Sequence, residues 1–475
     1  MTRYIKLTMV MLMVSVLAVS CDDFLDVNTD PNRPTSAPYQ GLMINTTLET
    51  ARNTQRVSAS TGYFFQHLVS PNAATSIDVH APVSLGTIWS SIYFTMGDLA
   101  QIINQAEEQG ATHYVGVAKV LQAYNLGLLV STFGDVPYEE AFFAQTLTPK
   151  YDSDEALYGE ILQLLADAIV ALQSTQSLTS PGNDDLIFRG NRPAWLRTAH
   201  ALRARYLNHY SKLPSYNPQQ ILTHIDNAFQ SNAQDFQMAF FTENATVRNP
   251  WYNVALNNAG LLLGGWLSDQ IIDHMNGTIY GVFDPRLPLI TMADTSSGNF
   301  IGTRNGAGRG AARERFERTA LEVGSFYASG PTAPLEMSTF VEMKFIEAEA
   351  ALTLDPNRSF AAYEAGIRAH MTKLGVAQAD IDAYWSNPEV SDRASFGRDK
   401  IMKEKYVAMF LNPETWNDAR RYDYAYARWR IPANHNPDLG GQMIRRARYP
   451  DSEIQRNASQ MPNKTLTDRL FWDVP

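Results

Sequence analysis

Apolar residues recur every three or four positions along two neighbouring stretches in the first half of the chain, and this spacing predicts amphipathic helices. The first stretch ends at Gly110 and contains Ile88, Ile92, Met96, Leu99, Ile102 and Ile103. The second stretch starts near Thr112 and contains Val117, Val120, Leu121, Tyr124, Leu128 and Leu129. The run 134–137, Gly-Asp-Val-Pro, is rich in turn-forming residues and predicts that the second helix ends near Phe133.

Two further helices follow, and each has a recognisable start. Ser153 suits an N-cap because its hydroxyl can accept a backbone hydrogen bond, and Asp154 and Glu155 suit the positive end of the helix dipole. Pro193 suits the first position of the next helix, where no backbone donor is needed. We therefore expect two antiparallel helix pairs before Pro214. Such pairs do not bury their apolar faces alone and usually stack on neighbouring pairs.

The second half of the chain changes character twice. Between 232 and 330 the periodicity is weak and glycine, asparagine and proline are frequent, which predicts loops, short helices and a small strand element. Helical periodicity returns at 337–352, 360–374 and 398–424. The alanine-rich spacing of the first two helices is like that of tetratricopeptide repeats, in which small residues let helices approach closely. These patterns predict an all-α-dominated fold with a large irregular region.

The N-terminus has the layout of a secretory signal peptide. Basic residues Arg3 and Lys6 precede an uncharged apolar run at 7–20, which is followed by Cys21. This run is too short to span a bilayer, which takes ~20 residues. A cysteine directly after the cleavage point indicates a bacterial lipoprotein whose mature chain begins at Cys21 and is acylated there. The alternatives are an ordinary cleaved signal with an incidental cysteine, or an uncleaved anchor.

These features predict the domain organisation. Residues 1–20 form the lipoprotein signal peptide, residues 21–38 form a lipidated tether rich in Asn, Asp and Pro, and residues 39–475 form one helical domain. Within that domain, 232–330 is the variable, loop-rich region for ligand or partner binding. With one cysteine in the chain, no internal disulfide forms, and a domain of this size has a core large enough to fold without one.

Charge and motifs narrow the classes of function. Without the basic residues of the signal peptide, 37 basic residues face 49 acidic ones, so the mature chain carries a net charge of −12. This charge argues against nucleic acid as a general partner. No histidine pair has metalloprotease spacing, and no Gly-x-Ser-x-Gly motif occurs. The glycine-rich run 306–310 lies in an arginine-dense loop, not between a strand and a helix, so we expect no phosphate site there. We predict no enzyme activity, metal site or cofactor.

Aromatic residues are the candidate ligand-binding groups. Flat rings suit the apolar C–H faces of sugars, and ordering them costs little side-chain entropy. The candidates, in or beside the irregular region and in the early loops, are Trp251, Tyr252, Trp266, Tyr280, Tyr63, Phe65 and Asn72. The alternative is that the aromatic candidates are core residues, since large aromatic side chains usually are. For Trp89, Trp195 and Trp416, which lie within amphipathic helices, we expect a core position.

Eight short motifs occur in an order that resembles the SusD/RagB family of surface glycan-binding lipoproteins of Bacteroidota, and the tether is most similar to the second SusD-like subgroup. The motifs are Asp23-Phe24-Leu25-Asp26-Val27-Asn28 with Asp30-Pro31-Asn32, Phe133–Tyr138, Tyr151-Asp152-Ser153, Gly190–Arg205, Asp284-Pro285-Arg286-Leu287, Glu342–Ala351, Glu414–Arg421, and Tyr449–Glu453 with Asn457. Together they cover most of the mature chain.

The resemblance implies a single α-rich domain of about four tetratricopeptide-like helix pairs. It also implies a partner, a SusC-like TonB-dependent outer-membrane barrel, over which the lipoprotein acts as a hinged lid. The expected function is non-enzymatic capture of oligosaccharides at the cell exterior and their delivery to the barrel. The short acidic run Asp22-Asp23 is similar to the surface-export signal of such proteins. Peptide capture by the same system, a surface glycan hydrolase and a helical scaffold are the alternatives.

Overall fold

The computed structural model of the protein describes residues 37–261, 265–295, 297–310 and 318–475. The predicted signal peptide, Cys21 and all but the last two residues of the predicted tether lie outside these described residues. None of the helices in the described ranges is long and apolar enough to cross a membrane.

The described residues form sixteen α-helices and four short β-strands. The helices of the first half are α1 Tyr39–Thr61, α2 Gly86–Glu108, α3 Thr112–Phe133, α4 Asp154–Gln173, α5 Arg192–Asn208 and α6 Pro218–Asp226. The middle helices are α7 Pro250–Leu261, α8 Asp269–Met275 and α9 Leu287–Ile290. The last helices are α10 Phe340–Ala351, α11 Pro356–Leu374, α12 Gln378–Trp385, α13 Pro388–Ser391, α14 Arg398–Ala408, α15 Glu414–Arg421 and α16 Asp451–Arg456. The strands are β1 Leu68–Val69, β2 Phe236–Met238, β3 Trp266–Leu267 and β4 Leu335–Ser338, and single 3₁₀ turns occupy His209–Lys212, Asn232–Gln234, Phe326–Ala328 and Pro437–Leu439.

The four helices predicted in the first half are all present. Ser153 is the N-cap of α4, and its Oγ accepts a hydrogen bond from the backbone N–H of Ala156 at 3.3 Å. Helix α5 starts one residue before the predicted proline, because Asn191 supplies the cap and Pro193 lies within the first turn. The turn after α3 begins at Gly134 with a φ of +76°, a left-handed backbone conformation that favours glycine.

Consecutive helices pack side by side from α1 to α6, and α10 packs on α11. Helix α10 also contacts α5, α6 and α14, so the late helices close onto the early ones. At the α10–α11 crossing, a Cβ on Gly366 would lie 3.1 Å from the ring of Phe345, so glycine permits the close approach. The all-α-dominated fold of tetratricopeptide-like helix pairs is therefore confirmed.

The prediction of a single helix at 398–424 is wrong, because the chain forms two helices there, α14 and α15. Between them Leu411 has a φ of +60°, and Pro413 has no N–H with which to continue α14. Hydrogen bonds with Ser58 on α1 and with His67, shortly after α1, stabilise the chain between α14 and α15. Ser58 Oγ donates to the Leu411 carbonyl at 2.6 Å, and the Leu411 N–H donates to His67 Nδ1 at 3.2 Å. Tertiary hydrogen bonds thus replace those that a continuous helix would make.

The irregular region contains the predicted small strand element. Strand β1 pairs antiparallel with β3, with Leu68 opposite Leu267 and Val69 opposite Trp266. Strand β2 pairs antiparallel with β4, with Phe236 opposite Ser338. Each pair joins a segment of the irregular region to a segment outside it, so both fasten the loops to the helical frame.

Buried ion pairs connect the helices at several of the motifs found in the sequence. Arg205 on α5 contacts Glu342 on α10 at 2.5 Å. Arg421 on α15 contacts Glu349 on α10 at 2.8 Å and Asp418 at 2.7 Å. Removing one partner of a buried ion pair costs about 3–5 kcal/mol, so these pairs favour the packing of these particular helices against each other.

Candidate functional site

Four segments that are far apart in the sequence meet in a continuous surface, which we call the loop surface: 70–81, 266–283, 303–310 and 422–436. Backbone hydrogen bonds join the first segment to the third, from Ala74 N–H to Gly306 O at 3.0 Å and from Arg309 N–H to Pro71 O at 2.8 Å. The fourth segment bonds to the third through Ala433 N–H and Asn305 O at 2.8 Å. The second segment joins the fourth through Gln270 Nε2 and the carbonyl of residue 427 at 3.0 Å.

Asp78 organises the inner side of the loop surface. Its carboxylate accepts hydrogen bonds from Asn305 Nδ2 at 2.6 Å, from Gly306 N–H at 2.7 Å and from Ser70 N–H at 3.3 Å. Burial raises the pKa of Asp78 to about 6, while these hydrogen bonds act in the opposite direction. A single buried side chain therefore fixes the relative positions of two loops and titrates near neutral pH.

The glycine-rich run 306–310 is required for close approach between loops. A Cβ on Gly306 would lie 1.8 Å from the carbonyl oxygen of Ala433, and a Cβ on Gly308 would lie 2.4 Å from the backbone nitrogen of Ala73. Both glycines also have positive φ, at +76° and +69°. The run packs three backbone segments together, which explains its composition without a phosphate ligand.

An aromatic cluster lies in the loop surface, formed by Tyr280, Tyr422, Tyr426 and Trp429. The centroid of the Tyr426 ring lies 5.1 Å from that of Tyr422 and 5.5 Å from that of Trp429. His274 connects Tyr280 to the others, at 5.2 Å from Tyr280 and 6.2 Å from Tyr426. Tyr426 and His274 are buried, whereas the other three rings are partly exposed. The cluster thus has a buried base and an exposed aromatic edge.

Several hydrogen-bond donors in or beside this cluster have no acceptor among the described residues. Tyr426 Oη and Trp429 Nε1 are buried and have no hydrogen-bond partner among the described residues. The same holds for Lys403 Nζ, which lies 4.0 Å from the centre of the Tyr280 ring and 3.7 Å from a carboxylate oxygen of Glu404. An unsatisfied buried donor costs about 1–3 kcal/mol, so the fold maintains this cluster at an energetic cost.

The structure brings together some of the residues predicted from the sequence. Asn72 is exposed on the loop surface, and Tyr280 belongs to the aromatic cluster. Tyr63 is partly exposed beside the first segment, and burial together with the charge of Asp78 raises its pKa to about 12. Tyr252 lies elsewhere, on α7, with the guanidinium of Arg248 5.9 Å from its ring centre.

Three predicted residues are in the core, which is the alternative that the sequence left open. The side chains of Phe65 and Trp266 are fully buried, and only 4% of Trp251 is exposed. Trp266 pairs with Val69 in the two-stranded sheet, and Trp251 follows the N-cap Asn249, whose Oδ1 accepts from its N–H at 2.7 Å. These side chains support the loops and the start of α7, and their burial prevents them from stacking on a ligand.

Sequence reasoning missed the larger part of the aromatic cluster. Tyr422, Tyr426 and Trp429 fall at the end of the predicted helix 398–424 or after it, where no candidate was expected. The signal was present as alternation, because residues 422–430 read Tyr-Asp-Tyr-Ala-Tyr-Ala-Arg-Trp-Arg. The segment turns instead of extending, because Asp423, Tyr424 and Arg428 have positive φ, and only Tyr422 and Trp429 of its four rings are partly exposed.

Arg420 and Arg421 hold the frame together. Arg420 Nη2 donates to the Ser131 carbonyl at 2.8 Å, and its guanidinium lies 3.9 Å from the centre of the Trp416 ring. Trp89, Trp195 and Trp416 are buried, as predicted. Within the described ranges, no group of three or more His, Cys, Asp or Glu side chains is placed to hold a metal ion.

The fold and this site together define a helical-repeat protein whose loops assemble an aromatic surface. The family model SusD-like type 2, described as starch-binding and associating with the outer membrane, matches residues 31–450. The chain therefore belongs to this SusD-like family. A comparison with curated proteins finds no match.

Solved structures from Bacteroidetes share the fold at low sequence identity. A SusD homologue from Bacteroides uniformis has a TM-score of 0.78 at 18% identity, covering 93% of this chain and 100% of that chain. A chitin-binding SusD homologue from Flavobacterium johnsoniae has a TM-score of 0.76 at 19% identity, covering 92% and 98%. A SusD/RagB family protein from Bacteroides thetaiotaomicron has a TM-score of 0.73 at 21% identity, covering 92% and 99%.

Proposed function

We propose that the protein is a non-enzymatic outer-membrane lipoprotein that binds oligosaccharides on the loop surface and delivers them to a SusC-like TonB-dependent barrel. The observation that carries this proposal is the aromatic cluster, in which three partly exposed rings lie together on the loop surface. Family membership supports the association with the outer membrane. Acylation at Cys21, the tether 21–38 and a single domain at 39–475 belong to the same proposal.

The chemistry of the cluster suits a sugar. The partly exposed rings of Tyr280, Tyr422 and Trp429 offer apolar area to the C–H faces of a sugar, and such rings lose little side-chain entropy on binding. Asn72 on the neighbouring segment adds an exposed amide that can both donate and accept.

Two structural neighbours named as chitin-binding proteins support the choice of glycan class. Chitin is built from sugars that carry acetamido groups, and an acetamido group can both donate to and accept from the exposed amide of Asn72. We therefore place N-acetylated oligosaccharides first among the glycans to be tested, followed by starch fragments, as the description of the family suggests.

The test is calorimetric titration of a soluble chain starting at Asp22 with chitin oligosaccharides, starch oligosaccharides and peptides. Trp429→Ala should weaken glycan binding by about tenfold, or about 1.4 kcal/mol, because it removes one stacking ring. Phe94→Ala is the matched control, since Phe94 is an exposed ring (76%) on α2, outside the loop surface. Circular dichroism checks that both variants fold.

The outcomes separate the alternatives. Saturable binding of a peptide but of no glycan would replace the oligosaccharide proposal with the peptide-binding one. Release of shorter sugars from the oligosaccharides by the purified chain would overturn the non-enzymatic assignment. Equal glycan affinity for Trp429→Ala and the wild type would remove the aromatic cluster as the site. Purification of the native chain from outer membranes without any barrel partner would contradict delivery to a transporter.

A further inference from the structure

Two histidines face each other between neighbouring helices, outside the loop surface. His200 on α5 and His224 on α6 place their Nδ1 atoms 2.9 Å apart, with the ring centroids at 5.2 Å and the ring planes at 39°. Both side chains are partly exposed, so solvent reaches the pair. Each helix is fixed by its own asparagine cap, Asn191 for α5 and Asn217 for α6. The two rings are therefore held by rigid elements.

Both imidazoles are neutral at neutral pH, the form that binds metal ions. Partial burial is the main cause, and the positive charge of Arg203 adds to it, so the pKa of each ring is lowered to about 4. In the free protein one Nδ1 carries the proton of the Nδ1···Nδ1 hydrogen bond. When that ring moves its proton to Nε2, both Nδ1 lone pairs become available, and no net proton is released.

The separation of the two nitrogens matches a chelate. Metal–imidazole bonds are about 2.0–2.1 Å long, so two nitrogens 2.9 Å apart subtend an angle of about 90° at a shared ion. That is the angle between adjacent ligands in square-planar or octahedral coordination, which copper(II) and nickel(II) prefer. A tetrahedral ion such as zinc(II) would need a separation of about 3.3 Å.

We propose that His200 and His224 form a two-histidine chelate for a divalent transition-metal ion of the copper(II) or nickel(II) type. Because no larger group of metal-ligating side chains occurs in the described ranges, water would fill the remaining positions. Nothing in the proposed capture of glycans requires this site. The nearby guanidinium of Arg203 repels a cation, so this residue limits the affinity of the pair for a metal ion. Substituting Arg203 therefore gives a second test of the site.

The experiment is copper(II) titration of the untagged chain starting at Asp22, followed by calorimetry and electron paramagnetic resonance. The expected result is one site whose spectrum shows two imidazole nitrogens. His200→Gln and His224→Gln should each weaken binding by about tenfold or more, because a second ligand on the same rigid scaffold acts at high effective concentration. Arg203→Gln should tighten binding, and the double histidine variant measures the background from the other donors.

His113→Gln is the control variant, because the His113 ring is also near the surface but is bonded to Ser180 Oγ at 2.7 Å and to the Ser174 carbonyl at 3.0 Å. Its copper affinity should equal that of the wild type. The proposal is overturned if both single variants at the pair bind copper as the wild type does. It is also overturned if the wild-type spectrum shows fewer than two imidazole nitrogens, a readout that does not depend on the folding of any variant.

Discussion

Replacing Gly306 by alanine tests whether the loop surface depends on close backbone contact. A Cβ at this position would lie 1.8 Å from the carbonyl oxygen of Ala433, a distance that no real pair of such atoms adopts. The same run offers a matched control. Gly310 also has a positive φ, +60°, but a Cβ there would meet no atom of the described residues within 4 Å. Both substitutions strain the backbone in the same way, and only Gly306→Ala adds a collision.

The structure sets the expected difference between the two variants. The left-handed conformation costs an alanine about 1–2 kcal/mol at either position. To relieve the collision, the segment at 433 must move away from 306. This movement breaks the bond from Ala433 N–H to Asn305 O and the bond from Asn434 Nδ2 to Gly306 O at 3.0 Å, and it loosens the contact between Gly306 N–H and Asp78. At about 1 kcal/mol for each hydrogen bond, Gly306→Ala should cost about 2–3 kcal/mol more than Gly310→Ala.

Hydrogen–deuterium exchange measures this difference locally, without assuming that the whole chain unfolds in one step. Amides of 303–309 and 430–436 should exchange roughly 30- to 150-fold faster in Gly306→Ala than in Gly310→Ala, while amides of α3 stay unchanged. Glycan affinity should fall in the first variant and remain in the second. Equal exchange in the two variants would refute the reasoning, because it would mean that the two loops are not held in contact.

Three further perturbations follow from the core and from the buried acid. Gly127→Ala should destabilise the protein by about 1–3 kcal/mol in urea unfolding, because the new Cβ would lie 2.0 Å from a buried tyrosine hydroxyl, whereas Gly97→Ala on α2 meets nothing and should stabilise it by about 0.5–1 kcal/mol. The pKa of Asp78, raised to about 6, means that the folded state binds this proton more tightly than the unfolded state. As the pH falls from above 6 to about 4, the free energy of unfolding of the wild type should therefore rise by up to about 3 kcal/mol relative to that of Asp78→Asn. Urea titrations of both proteins at each pH measure this difference. A difference that does not change with pH would contradict the burial of this acid. Arg421→Met should cost about 3 kcal/mol in thermal or urea unfolding, because Glu349 and Asp418 each lose one buried cationic partner, although Asp418 keeps Lys405 at 2.8 Å. A loss as small as that of the partly exposed Arg368→Met would contradict this prediction.

The long helices could be predicted because their signals are local. Ser153 caps α4, and the apolar residues that follow repeat at helical spacing over 20 residues. The break between α14 and α15 was not predicted, because the contacts that stabilise it come from residues far away in the sequence. Ser58 and His67, more than 340 residues earlier in the chain, bond to the backbone of Leu411. Pro413 indicated locally that the helix could end near this position, but a proline alone does not predict how far the chain departs from the helix.

The candidate site could be predicted only in part, because residue type does not decide between core and surface for an aromatic side chain. Trp266 and Tyr280 lie in the same irregular region, yet the first is fully buried in a strand pair and the second reaches the surface. Strand pairing between 69 and 266 decides the outcome for Trp266, and that pairing joins residues almost 200 positions apart. Asn72 could be predicted because a short loop rich in small polar residues stays in solvent.

The helical frame also positions part of the aromatic cluster. Arg286 lies 2.6 Å from Glu404 on α14 and 2.5 Å from Asp284, so the mid-chain motif is locked to that helix. Burial alone would raise the pKa of Glu404, but the charges of Arg286 and Lys403 outweigh burial and lower it, so this carboxylate stays ionised. Lys403 directly precedes Glu404 on α14, and its ammonium lies 4.0 Å from the centre of the Tyr280 ring. One helix thus anchors a buried ion pair and supports the aromatic edge, so loop residues around that edge can change while its position in the frame is retained.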